Sequence, residues 1–168
     1  MRRFRRIFSA GTAAFVLGAG LLAGSAGAAQ AAPSDCTGGA NGFTDIPDSL
    51  CGQGVAGAGA LVLSNPHDVA SCAMQAGNVG GRQMGWGVLT TGRPSDRGPG
   101  ARAIVWMYVT NDNKQSVITC GPFAVTSPGA RITTPAYPTS SSSSRAFQVC
   151  AVLYSPSETK GAVCTPWW

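Results

Sequence analysis

The sequence predicts an all-β fold, a small disulfide-stapled β-sandwich or barrel-like domain. Three observations carry this expectation. Short apolar runs rich in Val, Ile and aromatic residues recur along the chain, each bounded by clusters of Gly, Pro, Asn or Ser. Six cysteines, Cys36, Cys51, Cys72, Cys120, Cys150 and Cys164, form an even set that follows an export leader. Charged residues make up only 11% of the chain, so its solubility must come from neutral polar groups set in turn-rich sequence. No internal repeat and no amphipathic helix longer than a few turns is visible.

The leader opens MRRFRRIFSAG. Arg2, Arg3, Arg5 and Arg6 precede an apolar run from Ala10 to about Gly24, and Ala29-Gln30-Ala31 fits the small-residue cleavage rule. Residues 1–31 are therefore expected to be a secretory signal peptide, cut after Ala31. The run is rich in Gly and Ala and short for a membrane span. Formal charge is +5 for the whole chain, but eight basic residues against seven acidic ones remain after the cut, a net +1. No basic cluster survives. Neither nucleic acid nor, after cleavage, a membrane is therefore expected as a partner. The remaining ~137 residues suit one domain. It divides into an N-terminal segment with a cystine loop over 32–54 and a β domain over 55–168.

Strands are predicted over Val55–Leu63, Val69–Ala76, Gly85–Thr91, Arg102–Thr110, Val117–Val125, Phe147–Tyr154 and Ala162–Thr165. Arg102–Thr110 (RAIVWMYVT) is the densest in β-branched and aromatic residues. Alternation sends Ala103, Val105, Met107 and Val109 to the core and Ile104, Trp106 and Tyr108 to the other face. The cluster Asn111–Gln115 is a turn. Gly92–Gly100 and Ser127–Ser144 read as long loops. The second holds three prolines and ends in five serines, so it is expected to bury little and to be mobile.

Local geometry suggests the cystine pairing. A turn near Ser157 places Cys150 opposite Cys164, at a separation a disulfide can span. Cys36 and Cys51 would close the opening loop, and Cys72 with Cys120 follows by elimination.

Catalytic inventory is thin. His67, in SNPHDVA, is the sole histidine and reads as a turn residue; no G-x-S-x-G occurs after the leader. Glu158 is the sole glutamate, and Asp45 and Asp48 read as turn-formers rather than a paired-carboxylate site. Gly77–Gly81 lacks the lysine or helix of a phosphate loop. No C-x-x-C spacing supports a metal, so neither metal nor cofactor is expected. These readings predict a protein that binds rather than catalyses.

Residues 36–51, CTGGANGFTDIPDSLC, are the candidate binding element. A loop held shut loses less entropy on docking. Phe43, Ile46 and Pro47 would be apolar anchors, with Thr44, Asp45 and Asp48 at the rim. A secreted protease inhibitor would present such a loop. The Arg-rich leader, the small β-rich six-cysteine domain and the N-terminal cystine loop also resemble the small secreted adaptor subunit of actinobacterial umbrella toxin particles. That resemblance implies an adaptor linking lectin-bearing subunits to the repeat stalk of a large antibacterial toxin, with other secreted proteins as partners and no catalysis of its own. A cell-wall or carbohydrate-binding module is the third expectation, with Trp86, Trp106 and Tyr108 stacking on sugars. The Trp167–Trp168 pair, with no polar neighbours, invites docking against something.

Overall fold

A computed structural model describes residues 31–37, 42–65, 68–92, 102–154 and 161–168. The leader before Ala31, His67, Glu158 and most of the Gly92–Gly100 loop lie outside the described residues. Ten strands occur among them: β1 (Gln53–Gly54), β2 (Leu61–Asn65), β3 (Asp68–Val79), β4 (Arg82–Thr91), β5 (Arg102–Thr110), β6 (Ile118–Val125), β7 (Arg131–Thr133), β8 (Tyr137–Pro138), β9 (Ala146–Tyr154) and β10 (Val163–Cys164). A short 3-10 turn over Pro33–Asp35 precedes them. No helix among the described residues is long and apolar enough to cross a membrane.

All pairings are antiparallel, and they make two sheets. The first runs β1-β3-β4-β7, with β2 also on β3 and β8 also on β4. The second runs β10-β9-β5-β6. The all-β, disulfide-bonded class read from the sequence is the one observed. The β3–β4 hairpin turns on Gly80 and Gly81, with φ of 58° and 83°. Both positions need positive φ to match the twist of a two-residue hairpin, and glycine supplies it without steric cost. The glycine run at 77–81 is thus the end of β3 and a strand turn.

The strand over Arg102–Thr110 has the predicted bounds and the predicted faces. Ala103, Val105, Met107 and Val109 are fully buried, while Ile104, Trp106 and Tyr108 are half-buried on the far side. Opposite them, Cys72, Met74 and Leu89 of the first sheet close the core with Ile132, Phe147 and Val149.

Residues 127–144 differ from expectation. Ile132 through Tyr137 are all buried, and the segment supplies both β7 and β8. Its buried threonines satisfy backbone groups, while Ser140 through Ser143 stay exposed as expected. Thr134 pairs with Gly87 through main-chain N–H to carbonyl at 2.9 Å, and its hydroxyl accepts from the Gly87 N–H at 2.9 Å. The serines bond to one another, as in Ser142 N–H to Ser140 Oγ at 3.1 Å. A polar, proline-bearing stretch can therefore be ordered where its hydroxyls replace ladder partners.

Two of the three expected disulfides are not formed. The bonds are Cys36–Cys120 and Cys150–Cys164; Cys51 and Cys72 are free thiols. Cys150–Cys164 forms as the local register requires. Cys36 instead lies along β6, where the Thr37 N–H donates to the Thr119 carbonyl at 2.6 Å, and this brings it to Cys120. Cys72 is in the first sheet, directly across from Leu61 and Leu89, with its thiol in the apolar core. Main-chain pairing of Thr37 with Thr119 thus outweighs the nearness of Cys51 in sequence, and with Cys120 bonded to Cys36 the Cys72 thiol stays reduced.

Candidate functional site

The loop from Gly42 to Gly52 is built downward onto the first sheet rather than outward. β4 is central in that sheet, and both its faces are covered. Met84, Trp86 and Val88 project from its outer face, where an uncovered sheet would leave them in water. Ile46 and Ala136 pack there instead, with Leu50 beside them. Phe43 turns into the main core and meets the Tyr137 ring at 4.8 Å between centroids. Phe43 is 7% exposed and Ile46 3%, so neither serves as an anchor for a partner. The chain places its apolar residues here because burial of each contributes about 1.5–3 kcal/mol, and β4 offers the matching surface.

Polar bonds fix the rest of the loop. Thr44 and Ala136 exchange two main-chain bonds at 2.9 Å. The Asp48 carboxylate accepts from the Thr133 N–H at 2.7 Å and the Thr133 hydroxyl at 3.1 Å. Arg131 donates through Nε to the Asp48 carbonyl at 2.6 Å and through Nη2 to the Leu50 carbonyl at 2.5 Å. Nη2 also reaches Gln75 Oε1 at 3.3 Å, and that oxygen accepts from the Gly52 N–H at 3.1 Å. Gly52 lies so close to the Trp86 ring that a Cβ there would stand 2.5 Å from Cζ2. What remains outside is a ridge of Thr44, Asp45, Pro47 and Ser49, all exposed, with Asp48 half-buried beneath. Of the six residues expected to bind, the structure brings Thr44, Asp45 and Pro47 to the surface and commits Phe43, Ile46 and Asp48 to the fold.

The aromatics of the carbohydrate reading separate. Trp86 is sealed beneath the loop and cannot stack on a sugar. Trp106 and Tyr108 share the outer face of the second sheet, edge to face at 6.5 Å, and are half-buried there.

The two thiols also differ. Cys51 is exposed, with its thiol 3.6 Å from the Ser49 carbonyl. Burial pushes the Cys72 thiol up to about 11, which keeps it protonated and inert.

A second surface surrounds Trp167 and Trp168, the pair whose sequence invites docking. Its cleft of about 410 Å³ also takes in Lys114 and Arg145. The tryptophan pair was the signal in the sequence. Lys114 was hidden in a turn cluster and Arg145 in the end of a serine run, and nothing in their local sequence brings them together.

Fold and surfaces together define a disulfide-bonded, two-sheet antiparallel β domain with an N-terminal segment folded over one sheet. No protein-family model, curated protein or solved structure matches this chain.

Proposed function

We propose that this protein is a secreted, non-enzymatic protein–protein interaction module, and specifically an adaptor subunit of a multi-protein secreted antibacterial toxin particle. The observation that carries the binding reading is the clamped ridge. Asp48, Thr133, Arg131 and Gln75 hold the loop to the sheet, while Thr44, Asp45, Pro47 and Ser49 stand exposed above it. Such a surface is ordered before it meets a partner, so docking there sacrifices little entropy. Two disulfides are compatible with an extracellular, oxidising location. The particular assembly rests on the resemblance to the umbrella-particle adaptor. A protease inhibitor fits less well, because the loop lies along the sheet with Phe43 and Ile46 turned inward.

The test is native size-exclusion of the producer's culture supernatant, with mass spectrometry of the fraction that holds the protein. Elution in a large complex is expected, and its other members name the assembly. A Asp45→Lys, Pro47→Gly double variant should leave that fraction while keeping its thermal stability. Elution of the parent alone, at the size of a small monomer, overturns the adaptor reading.

A further inference from the structure

We propose that the cleft at Trp167 and Trp168 binds a saccharide that carries an acidic group. This inference is independent of the adaptor reading, since it uses none of the ridge residues. The cleft holds about 410 Å³ and is lined by Asn113, Lys114, Ser143, Arg145, Trp167 and Trp168. That is the size of sites that take small molecules. Two cations line it and, among the described residues, no carboxylate side chain does. Asp112, the acid nearest in sequence, turns its carboxylate to Thr110 and Ser116 instead.

Both cations are held in place. Arg145 donates through Nε to Asn111 Oδ1 at 2.6 Å and through Nη1 to the Pro138 carbonyl at 3.0 Å, with its guanidinium 5.3 Å from the Tyr137 ring centre. Held through Nε and Nη1, the guanidinium is fixed in orientation and keeps Nη2 as its donor toward a carboxylate or phosphate. The Lys114 ammonium lies 5.4 Å from the Trp167 ring centre. Lys114 and Asn113 have φ of 69° and 58°, a left-handed conformation that side chains disfavour. The surroundings impose it: the Lys114 N–H donates to Thr110 Oγ1 at 2.9 Å, and the Asn113 N–H to the Ser144 carbonyl at 3.0 Å. These bonds fix the backbone of the turn that carries Lys114 at the edge of the cleft.

Trp168 supplies the platform. Its main chain exchanges two bonds with Phe147, at 2.8 and 3.0 Å, and its ring packs 5.7 Å from that of Phe147. The residue nonetheless keeps 40% exposure. An indole so fixed can stack on the C–H face of a sugar ring while Lys114 and Arg145 take its acid group and Asn113 and Ser143 its hydroxyls. An adjoining hollow of about 220 Å³ shares Arg145 and Trp168 and is lined by Thr139 and Ser140. Its hydroxyls suit a second ring. An acidic peptide would share the cations and the indoles, but the hydroxyls of Thr139, Ser140 and Ser143 match the hydroxyl-rich edge of a sugar better than a peptide side chain.

The full secreted chain would be applied to an array of matched neutral, uronic-acid and sugar-phosphate glycans, with an aspartate-rich peptide alongside. The best glycan would then be titrated by tryptophan fluorescence. At least tenfold preference for an acidic glycan over its neutral counterpart is expected, weakening as salt rises. Uronic and phosphate preference both support the site and tell which acid it takes. Trp168→Ala and Lys114→Gln should each weaken binding at least tenfold; Lys114 is on an exposed turn, so its variant will fold. Three results would overturn the proposal: no acidic glycan bound above its neutral match, binding unchanged in both variants, or capture of the aspartate peptide alone, which would make the cleft a protein contact.

Discussion

Replacing Arg131 with alanine tests whether the polar clamp holds the N-terminal loop. Arg131 makes two charge-assisted bonds to loop carbonyls, those of Asp48 and Leu50, and a longer one to Gln75. Such bonds contribute about 1.5–3 kcal/mol each when desolvated. Arg131 is only half-buried, so water replaces part of that, and about 1 kcal/mol apiece is the better figure. The loss is then about 2–3 kcal/mol. For a domain of this size that lowers Tm by roughly 6–10 °C. Arg131→Lys should lose about half as much, because an ammonium reaches one carbonyl where the guanidinium fork spans two. Hydrogen exchange gives the local readout. The Leu50 and Gly52 amides, bonded to the Pro47 carbonyl and to Gln75 Oε1, should exchange faster in the alanine variant than in the parent. A Tm within 2 °C of the parent, together with unchanged exchange at those two amides, would refute the clamp. The loop would then be held by the Asp48–Thr133 and Thr44–Ala136 bonds and by the packing of Ile46 on Trp86.

Thiol chemistry checks the cystine assignment. Non-reducing peptide mapping should recover Cys36–Cys120 and Cys150–Cys164, with Cys51 alkylated in the folded protein at pH 8 and Cys72 only after unfolding; equal labelling of both would contradict the burial of Cys72. Asp112 sets a pH dependence. Bonds from the Ser116 hydroxyl, the Ser116 amide and Thr110 lower its pKa from 3.8 to about 2, so its contribution is present above the ordinary value and is lost as pH falls through about 2. Between pH 4 and 2 the parent's Tm should therefore fall more steeply than that of Asp112→Asn, and parallel curves would remove Asp112 from the account. Gly52→Ala would press a methyl 2.5 Å from the Trp86 ring and 2.8 Å from the Ala76 carbonyl; a cost of about 1–3 kcal/mol in denaturant unfolding is expected. A stability equal to the parent's would mean that the loop is free to lift.

Much of the fold was legible because its strongest signals are local. The run RAIVWMYVT has one consistent alternation, and both its bounds and its faces follow from that. Cys150–Cys164 was legible for the same reason, since a single hairpin fixes the register. Long-range choices were not. Nothing within residues 127–144 says that Thr134 will meet Gly87, 47 residues away. Nothing within 36–51 says that Cys36 will pass over Cys51 to reach Cys120, 84 residues on. The candidate site suffered most. Phe43 and Ile46 are among the most apolar residues of their loop, with Leu50, and sequence alone gives the same signal for a residue that docks on a partner and one that docks on its own sheet. The outer face of β4 decided between the two, and that face becomes visible only once Met84, Trp86 and Val88 are seen to need a cover.

The loop so poor in core residues does not need a core of its own, because it completes one. It begins at Cys36, bonded to Cys120 on the second sheet. It passes through the main core at Phe43 and ends clamped on the outer face of the first sheet by Asp48, Arg131 and Gln75. One short segment thus ties both sheets together. In the chain-entropy account, a bond closing 84 residues contributes about 4–5 kcal/mol, more than a disulfide around the loop alone would give. The long-range pairing therefore stabilises the sandwich as well as the loop. It also fixes the exposed ridge relative to both layers at once. The Phe43, Tyr137, Phe147 and Trp168 rings then run in contact from beneath that ridge to the tryptophan cleft. Asn111 joins the same column, donating to the Tyr137 hydroxyl at 3.3 Å and accepting from Arg145. The two surfaces of this protein therefore stand on one rigid support, and a partner on the ridge and a ligand in the cleft would be held at a fixed distance from each other.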